Sequence, residues 1–136
     1  MAARLRLSTT RLARRLRREV DTELSLTMSS AIAAINVHGP LTLGELADHE
    51  RVAPPTITKI VNKLEDKGLV ERIIDPSDRR VCRVVTTGQG AAMIEESRQR
   101  KNAWLAARLY ELDAAGRERL LGAIDILEEL ATGGPA

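Results

Sequence analysis

From residue 42 to residue 68 the chain runs TLGELADHERVAPPTITKIVNKLEDKG, and this stretch decides the fold. Thr42 with Glu45 is a capping box, a hydroxyl at the N-cap and a carboxylate three residues on. It predicts a short helix carrying Leu43, Leu46 and Ala47 on one face. A brief turn through Glu50-Arg51-Val52-Ala53 leads to Pro54-Pro55. Proline is favoured in a first helical turn, and the residue before it resists the helical region. A second helix therefore begins there, with Ile57, Ile60, Val61 and Leu64 at i, i+3, i+4 and i+7, and ends at Lys67-Gly68. Two helices meet at a tight break.

The face opposite that apolar stripe shows Thr56, Thr58, Lys59, Asn62 and Lys63. Short polar and cationic groups suit a DNA major groove, where Asn can pair two atoms of adenine and Lys can reach guanine acceptors. No acid occurs between Arg51 and Glu65, whereas a merely solvated face usually carries both signs. After Gly68 the period changes. Leu69 to Ile74 and Val81 to Thr86 are short β-branched stretches around the turn-rich Asp75-Pro76-Ser77-Asp78-Arg79-Arg80. They predict a hairpin with a charged tip. An Arg there can enter the minor groove, and Asp78 is placed to orient Arg80 through a carboxylate pair. A polar turn closed by a surface ion pair would mean little in isolation. Directly after two helices at a tight break it completes a winged helix-turn-helix, helices at about 43–67 and wing at about 69–86.

Helices flank this core. Arg4 to Leu24 predicts a first helix, with Leu5, Leu12, Leu16, Val20 and Leu24 on one face and Arg6, Arg11, Arg14, Arg15, Arg17 and Arg18 elsewhere. A second helix from near Thr27 carries Met28, Ala31, Ile32 and Ile35 and stops at His38-Gly39-Pro40, Gly39 supplying a left-handed cap. Thr87 caps a long helix to about Leu112, and Asp113 caps another holding Leu120, Leu121, Ile124, Leu127 and Leu130. The tail from Thr132 to Ala136 is expected to be disordered. The fold class is α+β, mainly α.

The chain has 136 residues, one domain's worth, with 43% hydrophobic and 29% charged residues. One Trp, one Tyr and no Phe argue against base-stacking recognition of single strands. Residues 1–86 hold fifteen Lys or Arg against eleven acids, and residues 87–136 six against eight. A basic front and a mildly acidic back fit a protein that turns one side to phosphate. No apolar run is long enough to cross a bilayer, and the basic N-terminus lacks a signal peptide's apolar stretch, so a cytoplasmic location is expected. Cys82, the single cysteine, agrees with a reducing compartment.

Thr42 to Gly90 resembles the MarR family of bacterial regulators. The likeness runs through Leu43-Gly44-Glu45-Leu46-Ala47, Pro55-Thr56-Ile57-Thr58 and Leu64-Glu65-Asp66-Lys67-Gly68-Leu69-Val70-Glu71-Arg72. It continues through Asp75-Pro76-Ser77-Asp78-Arg79-Arg80 to Thr87-Gly88-Gln89-Gly90. The flanking helices fit the family's order, so the likeness covers nearly the whole chain, 1–136, as a single domain. Thr86 departs from it, since the family usually has a buried Leu before the helix-capping Thr.

The resemblance implies a homodimer whose first, fifth and sixth helices (about 4–24 and 87–131) interlock, setting two winged regions on adjacent major grooves of a pseudo-palindromic operator. It implies a ligand-relieved repressor of transcription. The expected DNA-contacting set is Thr42, Pro54, Pro55, Thr56, Thr58, Lys59, Asn62, Lys63, Arg72, Asp78, Arg79 and Arg80. A small aromatic or amphipathic effector would bind a cleft lined by His38 and Trp104, although Trp104 reads more simply as dimer core.

Other chemistries find little support. Cys82 shares a strand face with Val84 and Thr86 and is expected to be a buried structural thiol rather than a redox sensor. Glu45, His49 and Glu50 are close in sequence but are as well explained by an exposed helix end, so no metal is expected. No base-assisted nucleophile or phosphate-cradling glycine loop is present, so neither catalysis nor a cofactor is expected, and Gly88 and Gly90 are simpler as helix punctuation. The Arg-rich first helix could bind phosphate or a membrane surface, but a solvated basic face is the favoured account, and no membrane partner is expected. The alternative function is a winged-helix protein-interaction module, which usually lacks a cationic recognition face and an Arg-bearing wing.

Overall fold

The computed structural model describes residues 1–20 and 23–133. Its elements in order are α1 (Ala2–Arg18), α2 (Leu26–His38), β1 (Leu41–Thr42), α3 (Leu43–Glu50), α4 (Pro54–Asp66), β2 (Val70–Ile74), β3 (Cys82–Thr86), α5 (Gly88–Tyr110) and α6 (Ala114–Thr132). They form two units, Met1–Val20 with Gln99–Ala136, and Asp21–Arg98.

The unit Asp21–Arg98 holds the core. Met28, Ala31, Ile32 and Ile35 of α2 pack with Leu46 and Ala47 of α3, Ile57, Ile60, Val61 and Leu64 of α4, and Leu69, Val70 and Val84 of the wing. Each Leu, Ile or Val so buried contributes about 1.5–3 kcal/mol relative to exposure. The caps that start these helices are local. Ser25 accepts from the Met28 N–H at 3.2 Å, and Thr42 accepts from the Glu45 N–H at 3.1 Å. Arg51 closes α3 in the left-handed region at φ 54°, and Pro54 and Pro55 open α4 behind the extended Ala53. Gly68, at φ 73°, turns the chain out of α4 into the wing, a conformation a Cβ would strain.

The sheet is antiparallel in the order β1-β3-β2, with Arg72 opposite Val84 and Leu41 opposite Val84 on the other edge. β1 is an addition to the predicted hairpin. Two residues carry no alternation, and this strand exists only through its pairing with β3. Thr86, the departure from the family pattern, is half-buried, and its hydroxyl hydrogen-bonds Asn36 Oδ1 at 3.3 Å.

Four expectations change. The first helix ends at Arg18 rather than continuing to Leu24, part of the expected span (residues 21 and 22) lying outside the described residues. Leu24 is buried beside Met28 in the winged core, because Ser25 caps α2 directly after it. Gly39 is not left-handed: it sits at φ −63° and ψ 160°. Glycine is required there because a Cβ would overlap the Ile35 carbonyl. Cys82 is half-buried rather than buried, at the wing end opposite exposed Ile74, while Val84 alone of that strand face is fully enclosed. Of the tail, Thr132 ends α6, Gly133 is its C-cap, and residues 134–136 lie outside the described residues.

In the other unit, α1 and α6 bury no residue within a single chain. Leu5, Leu12, Leu120, Leu121, Ile124 and Leu130 are all exposed there. No helix among the described residues is long and apolar enough to cross a membrane.

Candidate nucleic-acid interface

The apolar stripe of α4 fixes which of its side chains face outward. Ile57, Ile60, Val61 and Leu64 are buried, so Thr56, Lys59, Asn62 and Lys63 stand exposed on the other side, with Pro54 and Pro55 at the exposed N-terminal end. Thr58 is half-buried, and its hydroxyl donates to the Pro54 carbonyl at 3.0 Å, leaving only acceptor capacity. Thr42 lies in β1 with its oxygen committed to capping α3. Lys59 and Lys63 make no ion pair among the described residues, so this surface presents two uncompensated ammonium groups.

The wing tip is built on two aspartates with different tasks. Asp75 accepts from the Ser77 hydroxyl at 2.6 Å and the Ser77 N–H at 2.9 Å, which shapes the turn. Those bonds hold its carboxyl below the ordinary value, with the nearby Arg83 adding to the effect. Asp78 accepts from Arg80 three times: Nε at 3.0 Å, Nη2 at 3.2 Å and the backbone N–H at 3.1 Å. The Arg80 side chain first, and its backbone N–H second, hold the Asp78 carboxyl below the ordinary range. The fork is bidentate, yet the Arg80 side chain keeps 90% of its exposure. The wing therefore offers a guanidinium that is oriented but still accessible. Arg79 is exposed beside it.

Arg72, expected to face DNA, has two partners at once. From β2 its Nη2 donates to Asn62 Oδ1 at 2.5 Å, and its Nε lies 3.8 Å from Glu65. Wing and α4 are thus joined through polar side chains. Sequence reasoning missed Arg83, whose guanidinium lies 3.4 Å from Asp75 and 3.9 Å from Glu45, linking the base of the wing turn to α3. Alternation along β3 gave no signal for it, because its partners come from two other elements.

The residues expected for an effector cleft fall in different units. His38 stacks on His49 at a centroid distance of 4.6 Å, both exposed. Trp104 lies under Arg15 and Arg108 at 5.1 and 5.3 Å, and its indole N–H is enclosed without a hydrogen-bond partner among the described residues. Among the described residues no group of three or more His, Cys, Asp or Glu is placed to hold a metal ion.

A helix pair at a tight break, an outward cationic face and a hairpin tipped by a braced Arg define a winged helix-turn-helix of the DNA-binding class. The chain belongs to the MarR family of transcriptional regulators, whose model matches residues 24–82. It is 36% identical over 136 residues to the uncharacterized HTH-type transcriptional regulator ML2140 of Mycobacterium leprae, covering 99% of this chain and 95% of that one. A putative transcriptional regulator from Pseudomonas aeruginosa superposes with a TM-score of 0.84 at 32% identity, covering 96% of this chain and 92% of that one. A mutant of MepR from Staphylococcus aureus, bound to an oligodeoxyribonucleotide, shares the fold with a TM-score of 0.75 at 16% identity, covering 96% of each chain. A regulator of this family is not an enzyme.

Proposed function

We propose that the chain binds a pseudo-palindromic duplex operator as a homodimer and represses transcription until a small effector releases it. One observation carries the DNA reading: the outward face of α4 is free of acids from Pro54 to Leu64, and Arg80 beyond it is braced by Asp78 yet exposed. Thr56, Lys59, Asn62 and Lys63 would meet the major groove and Arg80 the minor groove, with Thr42, Pro54, Pro55, Thr58, Arg72, Asp78 and Arg79 at the margins. Fold likeness to the oligonucleotide-bound MepR mutant supports this assignment.

The apolar side chains that α1 and α6 leave exposed support the dimer, because so many large apolar groups left uncovered along two helices mark an interface. Dimerisation then sets the spacing of two α4 helices, and an effector that changes this spacing would change DNA affinity. The effector would be an aromatic or amphipathic small molecule, and Trp104, whose indole N–H lacks an acceptor among the described residues, is the residue proposed to meet it.

A gel shift of the DNA upstream of the chain's own gene, across a salt series, tests this function. Tight binding that exceeds binding to scrambled duplex, and weakens linearly in log salt, is expected. Absence of any preference for a DNA sequence would favour the protein-interaction alternative.

A further inference from the structure

Seven arginines (Arg4, Arg6, Arg11, Arg14, Arg15, Arg17 and Arg18) lie in α1, and Ala2–Arg18 contains no acid. At 100° per residue, Arg4, Arg11, Arg14, Arg15 and Arg18 share one side, with Leu7 among them and Leu5, Leu12 and Leu16 well apart. Arg11 is three and four residues from Arg14 and Arg15, and Arg18 is four and three from the same pair, so like charges crowd at spacings that destabilise a helix. Only Arg15 has a counter-charge within the described residues, Glu19 at 2.8 Å. A solvated helix face ordinarily mixes signs. This one holds a single sign against its own stability.

A second copy packed through the exposed Leu120 and Ile124 of α6 would not bring the aligned acids of that helix to these arginines. The carboxylates Glu118, Asp125 and Glu129 line up on α6, but opposite its exposed Leu120 and Ile124. Turning them toward α1 would turn that apolar face away from the partner. A membrane-surface helix often sets Trp or Phe among its apolar residues, and α1 has neither, only leucine and alanine. Duplex DNA fits better. The stripe from Arg4 to Arg18 is about 21 Å long at helical rise, enough to follow about four phosphates of one strand.

We propose that the arginine stripe of α1 is a second, sequence-independent surface for the phosphate backbone of duplex DNA, separate from α4 and the wing. It shares with the proposed function only the premise that duplex DNA is the partner.

The test uses the full chain with Arg4, Arg11, Arg14 and Arg18 all changed to Gln, and a matched set changed to Lys. Binding to a scrambled duplex about four helical turns long is followed by anisotropy from about 50 to 200 mM salt. The Gln set should lose about 0.9 in salt slope for each phosphate contact removed, three to four units in all for one helix, while the Lys set keeps its slope. Preference for operator over scrambled DNA should survive in the Gln set. A parallel variant, Lys59→Ala with Lys63→Ala and Arg80→Ala, should lose that preference yet keep sequence-independent binding. An unchanged slope in the Gln set overturns the proposal, as does loss of all duplex binding in the parallel variant. Tighter binding of the wild type to phosphatidylserine vesicles than to duplex, at equal anionic charge, would also overturn it. A wild type without operator preference but with an α1-dependent slope would sink the proposed function and leave this surface standing.

Discussion

Arg72 of β2 donates through Nη2 to the side-chain carbonyl of Asn62 on α4 at 2.5 Å, so one residue of the wing orients the polar group at the centre of the helix's outward face. An amide whose carbonyl is already accepting presents N–H donors to a base edge. Adenine is best met by carbonyl and amide together, whereas guanine N7 and O6 and thymine O4 need only a donor.

Asn62→Ala should therefore relax discrimination at one position per half-site by about 1–3 kcal/mol, the base preferred there being guanine or thymine. Arg72→Ala frees the carbonyl and should move that preference toward adenine. Competition among duplexes with single substitutions reads both. Equal loss on every sequence would mean that Asn62 touches phosphate alone.

The wing brace carries its own pH signature. Because Arg80 lowers the Asp78 pKa in the folded protein, the contact is fully present above the unfolded-state value of about 3.9 and fades as pH falls through the folded value. Operator binding should show no step from the wing carboxylates near neutrality. In a carboxyl NMR titration Asp78 should titrate below the ordinary value, and Arg80→Ala should raise it toward that value. An unmoved midpoint would remove Arg80 as the cause.

The junction between wing and α5 is tied by the Thr87 hydroxyl beside a backbone bond from the Thr87 N–H to the Leu69 carbonyl at 3.1 Å. Thr87 Oγ1 donates to the Gly68 carbonyl at 2.6 Å and accepts from the Gly90 N–H at 3.0 Å. Thr87→Ala should cost about 1–2 kcal/mol in urea unfolding, with Thr87→Ser recovering most of it. Gly90→Ala should unfold more readily still, since its Cβ would overlap the Leu69 carbonyl. A Gly90→Ala protein as stable as wild type would contradict this packing.

Much of the architecture was legible because its determinants are local. Thr42, Thr87 and Asp113 announce helix starts through bonds to the residue three ahead. The stripe from Ile57 to Leu64 sets which face of α4 is buried, and hence which side chains stand out. What escaped is non-local. β1 is too short to show a period, and Leu24 continued the spacing of α1 while belonging to another core. The Arg72–Asn62 bond joins positions ten residues apart across a helix end and a turn, where no spacing rule applies. Within the candidate site, composition and face were readable, whereas which polar atoms were already engaged was not.

Arg80→Ala tests the central claim most directly, because the side chain is exposed and its removal leaves the apolar core untouched. Equilibrium anisotropy on a duplex from upstream of the chain's own gene should show a large loss of affinity, with circular dichroism and oligomeric state unchanged. Wild-type affinity in the Arg80→Ala protein would contradict a wing that reads the minor groove.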